Sequence, residues 1–225
     1  MKIKSEGKCT FCNKIFSGSS MSRHLASCPE RKIALNKENS SYKVCLLKVS
    51  ASPFWIYFEI SGSATLEDID SFLRNEWLEC CGHLSMFKIN NQTYACQPQP
   101  EYGDEGMNVK LYPILNKDIR FSHEYDFGST TYLDLKCLDV REGELKEPIV
   151  IIAQNNLPDF KCKDCDKSAK KICTECLYEG DCLFCEECAE KHEHDEEMFL
   201  PIVNSPRMGV CGYTGDAGLD RDFFD

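Results

Sequence analysis

The stretch CKDCDKSAKKICTECLYEGDCLFCEECAEKHEH, residues 162–194, limits most sharply what this chain can fold into. It carries three C-x-x-C pairs, Cys162/Cys165, Cys173/Cys176 and Cys185/Cys188, separated by seven and eight residues and followed by His192 and His194. A C-x-x-C pair in a tight turn places two thiolates on one metal ion. The eight ligands suit two four-coordinate zinc ions. A segment this short holds too few large apolar side chains to build a core, so metal must replace one.

The order of these ligands resembles the B-box and ZZ-type modules. That resemblance implies a cross-brace, in which Cys162, Cys165, Cys185 and Cys188 share one ion and Cys173, Cys176, His192 and His194 share the second. The closing H-x-H is tighter than in most B-boxes. Asp195 is a possible substitute ligand there, and Cys182 an alternative to Cys185. With every position filled by protein, no site is left for water, and such zinc is structural. Folding is then coupled to metal, with apparent binding of about 10–16 kcal/mol in finger peptides. A folded knuckle of this kind serves protein contact, and the acidic run EECAEKHEHDEE argues against phosphate binding at this end.

A second Cys/His unit opens the chain. In CTFCNKIFSGSSMSRHLASC, Cys9 and Cys12 precede His24 by eleven residues, and Cys28 follows His24 after three. Phe16 and Met21 occupy the two small-core positions of a zinc finger, and a final cysteine is an acceptable ligand. Together the two units predict about three Zn2+ per chain. If the finger lies on DNA, its base-facing positions are Ser17, Ser20 and Arg23. Two serines discriminate bases poorly, whereas Lys2, Lys4, Lys8, Lys14, Arg31 and Lys32 can hold phosphates without sequence preference.

Charge separates the ends. Net charge is −11, yet residues 1–48 carry +7 and residues 49–225 carry −18. The 16 cysteines, many in C-x-x-C pairs, point to metal in a reducing compartment rather than to disulfides. No apolar run approaches the roughly 18–20 residues that span a bilayer, and MKIKSEGK lacks the apolar core of a signal peptide. The expectation is a cytoplasmic protein without a membrane partner.

These features divide the chain into a finger (1–30), a polar linker (31–41), a regular segment (42–156), a double-zinc knuckle (157–199) and a Gly/Pro/Asp-rich tail (200–225) whose apolar start, Met198 to Val203, docks on the body. In the regular segment YKVCLLKV and FWIYFEIS read as strands. SATLEDIDSFLRNEWLECC reads as a helix capped by Ser63 or Thr65 and ended by Gly82. HLSMFKINNQTYAC reads as a hairpin turning at Asn90-Asn91, RFSHEYDFGSTTYLDLKCLDV as a strand broken at Gly128, and EPIVIIAQNN as a last strand. The predicted fold class is α+β, a central mixed sheet with one main packed helix, flanked by two small zinc-binding modules.

Thr65-Leu66, Leu73, His83-Leu84, Phe87, Ile89 and Tyr94, followed by Tyr125-Asp126-Phe127-Gly128, make residues 42–152 resemble the plasmid pRiA4b open-reading-frame-three-like family. The resemblance implies an α+β domain associated with plasmids and mobile elements. The family's Asp-x-Trp-x-His after the glycine is replaced by Ser129, Thr131 and Leu133. His83 and Asp126 are the weak candidates for a catalytic site. Cys80-Cys81-Gly82-His83 suggests another metal site, but adjacent cysteines chelate one ion poorly, so the preferred reading there is buried small apolar cysteines, and Cys211 reads as a free thiol. The leading reading is a zinc-binding adaptor that contacts a protein partner, with non-specific nucleic-acid contact through the basic finger. The alternative is an enzyme of unknown reaction with a central site near His83 and Asp126.

Overall fold

The computed structural model describes residues 3–35 and 41–215. Ten strands form one sheet: β1 (Glu6–Cys9), β2 (Ile15–Ser17), β3 (Lys43–Ala51), β4 (Phe54–Ser61), β5 (Ser85–Ile89), β6 (Gln92–Ala95), β7 (Glu105–Gly106), β8 (Arg120–Tyr125), β9 (Thr131–Glu142) and β10 (Ile149–Asn155). Their spatial order is β2-β1-β10-β4-β3-β9-β8-β5-β6-β7. All neighbours are antiparallel except β6 and β7, so the sheet is mixed and the fold α+β, as expected.

The sequence of β4 explains why this sheet needs cover on both faces. Side chains alternate along a strand. Phe54, Ile56, Phe58 and Ile60 face one side and Trp55, Tyr57 and Glu59 the other, yet all seven are buried. On the first face lies helix α3 (Leu66–Leu73), numbered after α1 (Gly18–Ser27) and α2 (Pro29–Leu35) of the finger. Leu66, Ile69 and Leu73 join Trp77 and Leu78 in the main core. On the other face the finger helix α1 supplies Met21 and Leu25, which pack with Leu46, Trp55, Tyr57 and Ile152.

The finger is therefore built into the sheet. β1 pairs with β10, Gly7 opposite Asn155 and Cys9 opposite Ala153. A Cβ at Gly7 would overlap the Gln154 carbonyl and approach the Trp55 ring to 2.7 Å, so only glycine allows this approach. Tyr57 donates its hydroxyl to the Gly18 carbonyl at 2.7 Å. The predicted linker begins as helix: α2 contains Arg31, whose buried guanidinium meets Glu59 at 2.5 Å. Residues 36–40 of that linker lie outside the described residues.

Thr65 caps α3 in a reciprocal capping box with Asp68. The helix does not run to Gly82. A wide turn, Arg74–Leu78, closes with the Glu79 N–H on the Arg74 carbonyl, and the chain leaves extended at Glu79. The cause is Arg74, which donates to Asp70, Glu79, the His83 carbonyl and Ser85 Oγ at 2.7–2.9 Å and folds residues 79–85 back over the helix end. Asn90 and Asn91 turn the β5–β6 hairpin with φ of 48° and 66°. The segment expected as one broken strand is a second hairpin, β8 and β9, because Asp126 adopts φ 65° and reverses the chain.

The C-terminal unit has its own three-stranded sheet: β11 (Lys171–Cys173) lies between β12 (Leu183–Phe184) and β13 (Phe199–Pro201). The apolar start of the tail thus docks on the knuckle through β13. Residues beyond it return to the central domain: Ser205 donates to the Trp77 carbonyl at 2.6 Å, and Arg207 is fully buried. Residues 216–225, with Gly218, and Lys2 lie outside the described residues. Among the described residues no helix is long and apolar enough to cross a membrane.

Candidate metal centres

Among the described residues four groups of Cys and His bring their donor atoms within 4.8 Å of one another. A tetrahedral thiolate site with metal–sulfur bonds of about 2.3 Å places its sulfurs about 3.8 Å apart, which sets the scale for the distances below.

The first group is Cys9, Cys12, His24 and Cys28. Cys9 ends β1, Cys12 lies in the turn held by the Cys9 N–H on the Lys14 carbonyl, His24 stands on α1 and Cys28 caps it. Cys12 Sγ and His24 Nε2 are 3.3 Å apart. Phe16 stacks on the His24 ring at 3.9 Å, so the small finger core orients a ligand. Burial, aided by the charge of Lys14, lowers the His24 pKa and keeps the imidazole neutral, the form that binds metal. Burial pushes Cys28 up to about 11, an ionisation cost that a cation in the group would offset.

The second and third groups are Cys162, Cys165, Cys185, Cys188 and Cys173, Cys176, His192, His194. These are the foursomes a cross-brace requires. In the second, Cys165 Sγ lies 3.7 Å from Cys185 Sγ and 3.8 Å from Cys188 Sγ. Burial opposes ionisation of Cys162, but backbone N–H groups of Cys185, Asp164 and Cys165 outweigh it and bring its pKa to about 7. In the third, Cys176 Sγ is 3.3 Å from His192 Nε2, and Cys173 Sγ is 3.3 Å from His194 Nδ1. The use of Nε2 from one ring and Nδ1 from the other lets so tight an H-x-H converge. Phe184 packs against the His192 ring at 4.4 Å. Cys182 stands apart from both groups, buried in the knuckle core beside Ile172 and Phe184. Asp195 precedes the short turn Glu196–Met198 and belongs to neither group.

The fourth group corrects the sequence reading. Cys80, Cys81, His83 and Cys211 come together although Cys211 is 130 residues from Cys81. The turn that ends α3 early makes this possible, and Arg207 brings in the tail. Its guanidinium meets Asp126 at 2.5 Å and also donates to the Ser129 carbonyl and Thr131 Oγ1. Asp126 is therefore neutralised by an ion pair, and burial is outweighed by that pairing, so its carboxyl stays below the ordinary range. His83 points Nε2 at Cys81 (3.0 Å) and Cys211 (3.4 Å), and its Nδ1 lies 3.6 Å from Asp126. The two weak catalytic candidates are thus neighbours within a thiol cluster.

The basic surface of the finger also changes. Arg31 is withdrawn into the ion pair with Glu59, which Arg141 shares at 2.8 Å. Ser17 caps α1 and its hydroxyl lies 2.9 Å from that of Ser20, so two of the three base-facing positions are occupied by the helix's own cap. Lys4, Lys8, Lys14, Arg23 and Lys32 remain exposed.

No family model matches the chain, and no curated protein matches it. Among solved structures it is similar to the protein of unknown function MM3350 from Methanosarcina mazei Go1, at 16% identity over 50% of this chain and 67% of that one, with a TM-score of 0.39.

Proposed function

We propose that this chain is a zinc-scaffolded adaptor whose finger and double knuckle hold three structural zinc ions. One observation carries the reading. Each of the three predicted donor sets is complete with four protein ligands, leaving no coordination position for water or substrate. Thiolate-rich four-ligand sets favour zinc over hard, oxygen-seeking cations. The central domain's likeness to the pRiA4b family belongs to this proposal and rests on sequence alone, chiefly the HLSMF and YDFG stretches.

The test uses the zinc-loaded full chain beside Cys173→Ser. A binding partner that is retained by the first, lost by the second and reconstituted from purified components supports the adaptor. A hydrolytic or transfer activity that survives Cys173→Ser but disappears in His83→Ala replaces it with the enzyme reading.

The exposed Lys8, Lys14 and Arg23 favour a second role, contact with nucleic-acid phosphates. The capped serines support a backbone contact rather than base reading. Salt-dependent binding by the zinc-loaded chain, lost in Cys12→Ser, is the expected outcome; no binding at low salt removes this role.

A further inference from the structure

We propose that Cys80, Cys81, His83 and Cys211 hold a fourth divalent, thiophilic ion of the zinc class, which latches the C-terminal segment onto the central sheet. This site lies outside the finger and the knuckle, and stands whether or not the adaptor reading does.

The donor set is three thiols and one imidazole, the composition of the finger site. Its spacing suits one ion: Cys80 Sγ to Cys81 Sγ is 3.8 Å, Cys81 Sγ to Cys211 Sγ 3.5 Å, and His83 Nε2 to the sulfurs of Cys81 and Cys211 3.0 and 3.4 Å. Sulfurs at such distances are far from the about 2.05 Å of a disulfide. The sequence objection, that neighbouring cysteines diverge, is met by the backbone. The chain leaves α3 extended at Glu79 and takes φ 76° at Gly82, so both sulfurs turn to the same point.

Three further observations converge on a ligand here. His83 presents one ring nitrogen to the cluster and the other to the Asp126 carboxylate at 3.6 Å. A carboxylate behind the second nitrogen is the usual way a metal-bound histidine is oriented. Cys211 adopts φ 53°, rare for a residue with a side chain, between Gly209 and Gly212, which also have positive φ. A backbone held in that region aims a particular side chain at a particular place. Arg207 Nη2 reaches 3.6 Å from Cys80 Sγ, so a guanidinium already neutralised by Asp126 supports a ligand from outside the shell.

Cys–His–Asp is also the order of a thiol nucleophile, its base and its orienter. The ion pair of Asp126 with Arg207 and the presence of three thiols rather than one favour ligation. Ligands from 80–83 and from 211 close a long loop with one ion, which makes the site a latch. It borders an open cleft of about 530 Å³ lined also by Tyr178 and Leu200, so the ion is reachable from solvent.

The test combines metal counting with thiol mapping on the full chain, purified reduced with added zinc. Elemental analysis should give four ions per chain, and three in Cys211→Ala and in Cys81→Ala. In case those variants fold poorly, the unaltered chain is treated with N-ethylmaleimide and its modified cysteines are mapped by mass spectrometry. Cys81 and Cys211 are exposed, yet should be protected with zinc and react once it is chelated; exposed Cys96, which belongs to no group, should react in both states. Prompt modification of Cys81 and Cys211 in the zinc-loaded chain overturns the proposal. So does a mass lower by two hydrogens that maps to a Cys81–Cys211 disulfide, or one thiol that reacts faster than Cys96. Loss of ions from the finger or knuckle alone would lower the count but leave this protection unchanged, which separates failure of the adaptor reading from failure of the latch.

Discussion

Arg207 and Asp126, 81 residues apart, form a buried ion pair at 2.5 Å, and through it the C-terminal segment becomes part of the central domain. Arg207 lies over the Tyr125 ring, 5.1 Å from its centroid, and Arg74 sits 4.8 Å from the same centroid. One aromatic side chain thus gathers both cations that shape the fourth cluster. Removing one member of a buried pair strands the other charge at a cost of about 3–5 kcal/mol. Arg207→Met should lose stability on that scale in urea unfolding of the zinc-loaded protein. Adding Asp126→Asn to it should recover part of the loss, since no bare charge then remains.

The finger's place in the sheet predicts a different outcome from that of a tethered module. Gly7→Ala forces a methyl against the Gln154 carbonyl and Trp55. Overpacking of this kind costs about 1–3 kcal/mol or more. Hydrogen exchange should accelerate in β1 and in its partner β10 together. An effect confined to residues 6–28 would show that the finger folds by itself.

Much of this arrangement could be read from residue order, because local chemistry decides it. The C-x-x-C spacings bring two sulfurs to one turn, and Asn90-Asn91 specifies its hairpin by tolerating positive φ. Thr65 followed three residues later by Asp68, ahead of the apolar stripe of α3, marks a capped helix start. What could not be read depends on partners distant in sequence. Arg31 looks like a phosphate-binding residue until Glu59 is placed beside it. Cys211 looks solitary until Arg207 carries it to Cys81. The run of large aromatic and β-branched side chains in β4, broken only by Glu59 before its end, fits a strand covered on both faces, but nothing local named the finger helix as one of the covers.

Cys182 and Cys185 separate packing from ligation within the knuckle. Cys182 is buried among Ile172, Cys173 and Phe184 and lies outside both donor groups, whereas Cys185 belongs to one. Cys182→Ala should keep the metal content of the wild type and lose about 1 kcal/mol, the transfer value of a small buried group. Cys185→Ser should lose one ion and raise protease sensitivity between residues 160 and 200. Equal loss of metal in both variants would mean that Cys182 shares the ligand role.

The buried pair His123 and Asp70 gives stability a pH signature. Burial lowers the His123 pKa, and the Nε2 donor lies 2.7 Å from Asp70 Oδ1. Burial would raise the Asp70 carboxyl, but the bonds and charges of His123 and Arg74 outweigh it and hold it low. An unfolded histidine takes its proton near about pH 6.5. Below that value the unfolded chain binds a proton that the folded chain refuses. This contribution is therefore complete above about 6.5 and is lost as pH falls toward the folded value, by no more than about 1.4 kcal/mol per unit. His123→Gln keeps a donor for Asp70 but does not titrate. Between pH 7 and 5.5, in excess zinc, its unfolding free energy should fall less steeply than that of the wild type. Parallel curves would place the pH dependence elsewhere.

The phosphate contact proposed for the finger draws on a few exposed side chains rather than on the whole basic segment. Among the described residues Arg31 is consumed by Glu59, while Lys8, Lys14, Arg23, Lys32 and Lys4, the last in a surface pair with Glu6 at 3.0 Å, face solvent. Each phosphate contact on duplex DNA adds about 0.9 to the slope of log affinity against log salt. Lys14→Ala and Arg23→Ala should each flatten that slope by about one contact, equally for unrelated DNA sequences, while Arg31→Ala should destabilise the fold and show no separate effect on the slope. A loss that depends on DNA sequence would mean that Arg23 reads a base, which the capped Ser17 and Ser20 give no help in doing.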